Sequence, residues 1–316
     1  MNSSRASTKP AGDGLPAIRP LTRLAVAVDG EPGGHDAFAL GRALARSHRA
    51  DLLAMTVVPD LSLIAPWAGS DPMHHDIELQ MRRMRDEWHP PARIAIDRDR
   101  SVARGLGRLV ARTHRELLVV GSSHRAEEGR VRLSGHVRQL IGHLPCPLVI
   151  APRGLAGRQY AIHRVAVGLE DSAASTAALA FAARLAATAG AELLACGVVD
   201  DTPPAFGWPS ASVSKMRELW SAAIEDRITG VEAGIRERAA ALELPVAVEV
   251  RRGGPGEALT ELSREVDLVV LGSRRWGPVA RLVLGGTGET LVHGSHCPVA
   301  IVPRPSDSET GAVGAD

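Results

Sequence analysis

Short apolar runs alternate along this chain with longer segments of helical periodicity. The runs are rich in valine, leucine and isoleucine and end at glycine, proline or aspartate, as strands buried on both faces of a parallel sheet do. In the first half the predicted strands are Leu24–Val28, Leu52–Val58, Arg93–Ile96, Leu117–Val120 and Leu148–Ala151. The segments Ala37–His48 and Val102–His114 are among the predicted helices. Because strands and helices alternate, the pattern predicts a parallel, doubly wound α/β sheet.

The same succession of elements starts again near residue 162. Asp29 and Glu170, which follow the two first strands, are 141 residues apart. Gly121 and Gly272, which follow the two fourth strands, are 151 residues apart, so an insertion of ten residues separates these marks. A long predicted helix at 213–242 accounts for it. A constant offset on each side of one insertion indicates a duplicated domain. The predicted domains span residues 21–153 and 162–304.

Composition narrows the class of protein. A chain of 316 residues with 45% hydrophobic and 23% charged residues fits two globular domains. Residues 1–20 and 305–316 are polar and aperiodic, and we expect both ends to be disordered. A net charge of +1 and an aromatic share of 3% argue against nucleic acid as a partner.

The sequence also indicates a compartment. No apolar run approaches the ~18 residues of a membrane span, and the first twenty residues lack the apolar core of a signal peptide. The three cysteines are odd in number and have no CxxC spacing, which favours neither disulfides nor a zinc site. We therefore expect a cytoplasmic protein with no membrane partner and no metal site of its own.

Candidate ligand contacts lie where the strands end. An open parallel sheet binds ligands beyond the carboxyl ends of its strands, near the point where strand order reverses. Asp29 and Glu170 leave the first strands, and a carboxylate there can accept hydrogen bonds from a ribose or a base. Gly121 and Gly272 leave the fourth strands, where glycine lets the backbone approach a phosphate and the next helix start supplies N–H donors.

Several of these segments resemble the universal stress protein family. They are AVAVDGEPGG and VAVGLEDSAAS at the first strands, LLVVGSS and LVVLGSR at the fourth, and PCP and HCP before the fifth. The resemblance covers about residues 21–153 and 162–304. It implies two tandem repeats of a doubly wound, five-stranded parallel sheet flanked by helices, the universal stress protein or adenine nucleotide alpha hydrolase-like fold. It also implies ATP as a ligand, with an accompanying Mg²⁺ left open.

Nucleotide-binding members of that family resemble the pattern G-x2-G-x9-G-[S/T] after the fourth strand, with an Asp after the first strand and a Val in the second near adenine. The first-domain positions are Asp29, Val57, Gly121, His124, Ser134 and Gly135. The second-domain positions are Glu170, Val198, Gly272, Arg275, Gly285, Gly286 and Thr287. Neither copy is intact, because the last pair of the first is inverted and each copy has replaced the middle glycine.

The departures leave alternatives open. If the middle position needs a positive φ or close backbone contact, His124 and Arg275 are unfavourable there. If it does not, Arg275 adds a charge-assisted contact to a triphosphate. The glycines after the fourth strands can equally be strand terminators, and Ser134 and Thr287 can equally cap helices.

The function that the resemblance implies is a cytoplasmic stress-response regulator that binds ATP at the strand ends of one or both domains. The alternative is a universal stress protein that binds no nucleotide and acts as an interaction or scaffolding module. The chain contains no GxxxxGK[ST], GxSxG or HExxH motif, so we expect no dedicated enzyme, with slow incidental ATP hydrolysis left open.

The fifth strands are the expected contact between the halves. Family members resemble dimers that pair through this strand, and a tandem chain can make that interface internally. We therefore expect Leu148–Ala151 to meet Val299–Val302 within the chain, flanked by prolines that limit further pairing. A homodimer of the whole chain is left open.

Overall fold

Strands form where the sequence is continuously apolar, and helices fill the periodic segments between them. The computed structural model describes residues 18–60, 76–83, 92–141, 144–203, 213–276 and 281–303. The strands are β1 Arg23–Ala27, β2 Asp51–Pro59, β3 Arg93–Asp99, β4 Leu117–Gly121, β5 Leu148–Ala151, β6 Arg164–Leu169, β7 Glu192–Val199, β8 Val246–Arg252, β9 Leu268–Gly272, β10 Arg274–Trp276, β11 Arg281–Val283 and β12 Val299–Val302. The helices are α1 Pro32–His48, α2 over 76–83, α3 Val102–Arg112, α4 Gly135–Ile141, α5 Ala173–Ala189, α6 Val213–Ala239, α7 Pro255–Leu262 and α8 Gly286–Gly294.

Ten of these strands form one sheet, in the order β3-β2-β1-β4-β5-β12-β9-β6-β7-β8. Each half is parallel, and β5 and β12 pair antiparallel where the halves meet. Val149 lies opposite Ala300 in that pairing, and these two residues occupy equivalent positions, 151 residues apart. A pseudo-twofold axis therefore passes between them. The predicted fold class, a duplicated parallel α/β sheet, is confirmed.

Helices cover both faces of the sheet, which is why its central strands are apolar throughout. α1, α5 and α6 pack on one face with side chains such as Leu40, Leu179 and Ile235. α3, α4, α7 and α8 pack on the other face with side chains such as Leu109 and Leu262. β4 and β9 carry four buried residues each before their terminal glycine.

The duplication extends to individual hydrogen bonds. The Glu116 carboxylate accepts the backbone N–H groups of Thr22 and Arg23 at 2.7 and 3.1 Å. At the equivalent place in the second domain, the Asp267 carboxylate accepts those of His163 and Arg164 at 2.7 and 2.9 Å. In both halves a carboxylate before the fourth strand thus fixes the start of the first strand.

Two stretches differ from their sequence-based description. α6 has 27 residues and ends at Ala239, three residues short of the predicted helix end. The stretch after β9, for which the sequence predicts no strand, contains a β-hairpin in which β10 pairs antiparallel with β11. The expected disorder of residues 1–20 and 305–316 falls mostly on residues outside the described ranges. Residues 18–20 are described, and the prediction is wrong there, because Ile18 packs against the core and the Arg19 carbonyl oxygen accepts Nε of Arg184 at 2.8 Å.

Candidate functional site

A cavity of about 840 Å³ opens at the carboxyl ends of the first-domain strands. The chain runs outward from β1 to β2 and β3 on one side and from β4 to β5 on the other, so strand order reverses between β1 and β4. The cavity lies at that switch point, where an open α/β sheet leaves a crevice. The predicted first-domain contacts Asp29, Val57, Gly121, His124, Ser134 and Gly135 all line it.

Asp29 follows β1 at the edge of the cavity and is exposed. Its Oδ1 accepts the backbone N–H of Glu31 at 3.1 Å, which orients the carboxylate next to the start of α1. Val57, on β2, is buried and forms an apolar part of the wall together with Leu106 of α3. The cavity therefore has a carboxylate at the exit of β1 and an apolar surface at the exit of β2.

Gly121 has a structural role whether or not a ligand binds. A Cβ atom at this position would collide with the carbonyl oxygen of Gly33, because the start of α1 packs directly on the end of β4. Gly272 is constrained in the same way, since a Cβ there would collide with the carbonyl oxygen of Ala174 on α5. Both glycines are needed for close packing of a helix on a strand end.

The loop after β4 is fixed by backbone hydrogen bonds. Ser122 donates its hydroxyl to the carbonyl oxygen of Ala151 at 2.7 Å, and Ser123 donates its N–H to that of Arg132 at 2.9 Å. Arg153 donates from Nη1 to the carbonyl oxygen of His124 at 3.1 Å. Among the described residues, the non-glycine residues with positive φ are Arg49 and His114.

His124 is therefore accommodated without backbone strain at the position where a glycine was expected. Its side chain is exposed and lines the cavity. Of the two alternatives for the middle position, the one that demands a positive φ does not apply to the first domain.

The start of α4 forms the next part of the wall. The Ser134 hydroxyl oxygen accepts the N–H of Val137 at 3.2 Å, so the predicted capping role of Ser134 is confirmed. Gly135 is exposed, and an added Cβ would meet no atom within 4 Å. This side of the helix start is open toward the cavity.

Basic side chains surround the cavity, and sequence reasoning missed them. They are Arg125, Arg132, His136, Arg138 and Arg153, against the acidic Asp29 and Glu31. His136 and Arg138 lie in the first turns of α4, directly after Ser134 and Gly135. That spacing was a usable signal, because a helix start followed by cations favours anionic groups.

One cavity residue comes from the other domain. His293, on α8, lines the first-domain cavity and is exposed. Arg138 of α4 donates to Glu289 of α8, and its Nη2 lies 3.3 Å from Nε2 of His293. Partial burial, then the neighbouring Arg138 and Arg132, lower the pKa of His293, while Glu289 acts in the opposite direction.

The predicted second-domain residues also lie at the carboxyl ends of their strands. Glu170 follows β6 and is exposed, and its carbonyl oxygen accepts Nη1 of Arg238 at 2.8 Å. Val198 is half-buried in β7, and Gly272 is the last residue of β9. Because β6 pairs with β9, the exits that carry Glu170 and Gly272 are adjacent.

The remaining second-domain residues lie in the hairpin and the helix after it. Arg275 is the middle residue of β10 and pairs with Leu282. Gly285 is the N-cap of α8, and Gly286 and Thr287 lie in its first turn. The capping role expected for Thr287 is therefore wrong, because the helix begins before it and a glycine occupies the cap.

Other functional groups are sparse. Within residues that the structure describes, no three histidine, cysteine, aspartate or glutamate side chains come together as a metal site would require. Cys146, Cys196 and Cys297 are buried and free, and burial raises the pKa of each thiol to about 12. None of the helices traced in the described ranges has the length and apolar character needed to cross a membrane.

The fold and the cavity define a duplicated α/β protein with a cavity at a strand switch point. The model of the Universal stress protein family matches residues 20–152 and again 161–303. The chain belongs to this family, and its two domains are tandem copies.

Individual proteins agree with this membership. A universal stress protein of Mycobacterium tuberculosis is 30% identical over 142 residues, which are 44% of this chain and 48% of that protein. The chain spans about half the length of such curated relatives. A universal stress protein structure from Archaeoglobus fulgidus covers 92% of this chain and 99% of its own, with 16% identity and a TM-score of 0.61, and shows the same fold. A universal stress protein in complex with cAMP also matches, at 25% identity over 46% of this chain with a TM-score of 0.32.

Proposed function

We propose that this protein is a cytoplasmic stress-response regulator that binds an adenine nucleotide, ATP foremost, in the first-domain cavity. The observation that carries the proposal is the cavity itself, about 840 Å³ at the switch point between β1 and β4. Its size is within the roughly 300–1,000 Å³ of small-molecule sites. The family membership and the motif positions at its wall support the same ligand class.

The cavity residues fit the parts of a nucleotide. The Asp29 carboxylate is suited to accept hydrogen bonds from ribose hydroxyls, and Val57 and Leu106 offer an apolar surface for a base. The open start of α4 and the guanidinium groups of Arg132 and Arg138 are suited to phosphate oxygens. Mg²⁺, if it accompanies ATP, would depend mainly on phosphate oxygens, because the described residues provide no ready-made metal cluster.

The proposal is one of binding, with no dedicated catalysis. In the part of the chain that the structure describes, the carboxylates that line the cavity are Asp29 and Glu31, and Asp29 already accepts a backbone N–H. We expect turnover of ATP to be slow and incidental. A regulator of this kind acts through the difference in conformation or partner affinity between its bound and unbound states.

We further propose that the β5–β12 pairing holds the two domains as one unit in solution. It continues the hydrogen bonding of both sheets across the junction. Light scattering would show whether whole chains associate further. A mass of one chain would leave the internal pairing as the family interface, and twice that mass would add a homodimer.

The proposed function is tested by looking for the nucleotide. The protein is purified under native conditions and extracted, and the extract is analysed for adenine nucleotides. ATP, AMP and adenosine are then titrated by calorimetry, and we expect affinity to fall as phosphates are removed. No co-purified nucleotide and no heat at millimolar ATP would overturn the proposal and favour the interaction or scaffolding module.

A further inference from the structure

The first-domain cavity is completed by the second domain. Among the described residues, all but one of those that line the cavity come from the first domain, and the exception is His293 on α8. α4 and α8 meet across the domain junction, where Arg138 contacts both Glu289 and His293. Arg138 thus both lines the cavity and contacts α8, so it connects the cavity mouth to the domain junction.

The contact between Arg138 and His293 favours the neutral imidazole. A guanidinium group can only donate, so a hydrogen bond at this 3.3 Å contact has Nε2 of His293 as its acceptor and the ring proton on Nδ1. Arg138 on α4 and Arg132 on the loop before it disfavour a positive charge there, and Glu289 on α8 itself favours one.

An anion in the cavity would change this balance. Arg132, Arg138 and His293 all line the cavity, so a phosphate group bound by the two guanidinium groups would lie beside the imidazole that Arg138 contacts. A negative charge close to an imidazole favours the protonated form, which can then donate from both ring nitrogens. The bound anion and the protonated imidazole would therefore stabilise each other.

We propose that His293 is a ligand-contacting residue that the second domain supplies to the first-domain site, and that it takes up a proton when phosphate groups bind. This inference rests on the proposed function, because it requires a phosphorylated ligand in the cavity. Two consequences follow. Nucleotide affinity increases as pH falls through the range in which histidine titrates, and it depends on the pairing of the two domains.

Calorimetry of the full chain with ATP tests the inference. Titrations at about pH 6 and about pH 8, each in two buffers of different ionisation enthalpy, give the affinity and the number of protons taken up. His293→Gln keeps an oxygen that can accept from Arg138 but cannot titrate. We expect it to lose about 5-fold in affinity at the lower pH, little at the higher pH, and most of the proton uptake.

Matched variants separate His293 from other titrating groups. His163→Gln removes an exposed second-domain histidine that does not line the cavity and should behave as the unaltered chain. His124→Gln and His136→Gln remove two further histidines that line the cavity and measure their share of the proton uptake. The titration of ATP itself is common to all variants and cancels in the comparison.

The outcomes are distinct. Binding of ATP by the unaltered chain, with affinity and proton uptake unchanged in His293→Gln, overturns this inference alone. No binding by the unaltered chain at either pH overturns the proposed function and this inference with it. Should His293→Gln unfold, the imidazole pKa of His293 in the unaltered chain is followed by NMR, where a value that does not increase on adding ATP also overturns the inference.

Discussion

The stretches that follow the two fourth strands began as copies and now differ in structure. After β4, residues 122–134 form turns fixed by Arg153 and line a cavity of about 840 Å³. After β9, the equivalent stretch contains the β10–β11 hairpin. The strand exits themselves have not changed, since the N–H groups of Ser122 and Ser273 bond the equivalent carbonyl oxygens of Ala151 and Val302.

The difference shows which part of a duplicated domain is free to diverge. Bonds that close the sheet are retained in both copies, whereas the loop beyond them has a different conformation in each copy. The two copies already differ at the first residue after the strand, which is Ser122 in the first domain and Ser273 in the second. The Ser122 hydroxyl donates to Ala151, whereas the buried Ser273 hydroxyl has no hydrogen-bond partner within the part of the chain that the structure describes.

The largest expected effect comes from filling the two strand-exit glycines. Gly121→Val and Gly272→Val each force a side chain against a helix backbone, and we expect each to destabilise its own domain by on the order of 3 kcal/mol. Gly121→Val should also abolish ATP binding, and Gly272→Val should preserve it. Hydrogen exchange measured by mass spectrometry locates the damage, and calorimetry measures the binding. Loss of ATP binding in Gly272→Val, when hydrogen exchange shows that the first domain, β12 and α8 are intact, would place the site in the second domain.

The second-largest expected effect is a pH dependence of stability that the first domain has through His48 and the second domain lacks. His48 is buried on α1 and accepts the N–H of Leu21 on Nδ1, and its Nε2 has no hydrogen-bond partner among the described residues. The equivalent position of α5 is Ala189. Burial, with a smaller contribution from Arg184, lowers the pKa of His48 from 6.5 to about 4.

The unfolded chain therefore binds the proton first as pH falls. The free energy of unfolding of the first domain should decrease between about pH 6.5 and 4, by up to about 3 kcal/mol. His48→Gln keeps an acceptor for Leu21 and should flatten this dependence. Denaturation curves at several pH values, with hydrogen exchange to resolve the domains, measure it. An equal pH slope in the variant would assign the effect to other groups.

A third test compares Asp29, which follows β1, with Glu170, which follows the equivalent strand β6. Asp29→Ala should weaken ATP binding by about 10- to 100-fold, the effect of losing hydrogen bonds to a charged acceptor. Glu170→Ala is the matched control and should bind as the unaltered chain does. Calorimetric titrations of both variants decide it. If Glu170→Ala weakens ATP binding and Asp29→Ala does not, the nucleotide site lies in the second domain.

The smallest expected effect is a difference in stability between variants at the starts of α4 and α8. Ser134→Ala removes the cap of α4 and should cost about 1 kcal/mol of stability. Thr287→Ala removes a side chain that does not cap α8 and should change stability by less than about 0.5 kcal/mol. Thermal unfolding of the two variants side by side gives the comparison, and equal losses would mean that Thr287 has a contact of its own.

The sequence was sufficient to predict the scaffold because its signals are local. Leu117–Val120 and Leu268–Leu271 are uninterrupted apolar runs that end at glycine, and the 151-residue offset between them exposed the duplication. The cavity was only partly predictable. Asp29 and Gly121 follow strands, so their place at the switch point could be inferred from the order of elements alone.

Other features depended on contacts that no spacing encodes. His293 is 155 residues from Arg138 in the chain, and only the pairing of the two halves brings them together. The β10–β11 hairpin could not be predicted, because its sequence shows little of the alternation between apolar and polar residues that indicates a strand. The packing role of Gly121 also needed the approach of α1 in three dimensions.

The junction between the halves has a consequence for how this chain could evolve. Arg138 and Glu289 occupy equivalent positions and contact each other near the pseudo-twofold axis. In a dimer of identical domains, a residue beside the axis meets its own copy, so a charge there would repel itself. Fusion into one polypeptide removes that restriction and allows one copy to become cationic and the other anionic. The halves are now complementary, and a first half that met another first half would set arginine against arginine.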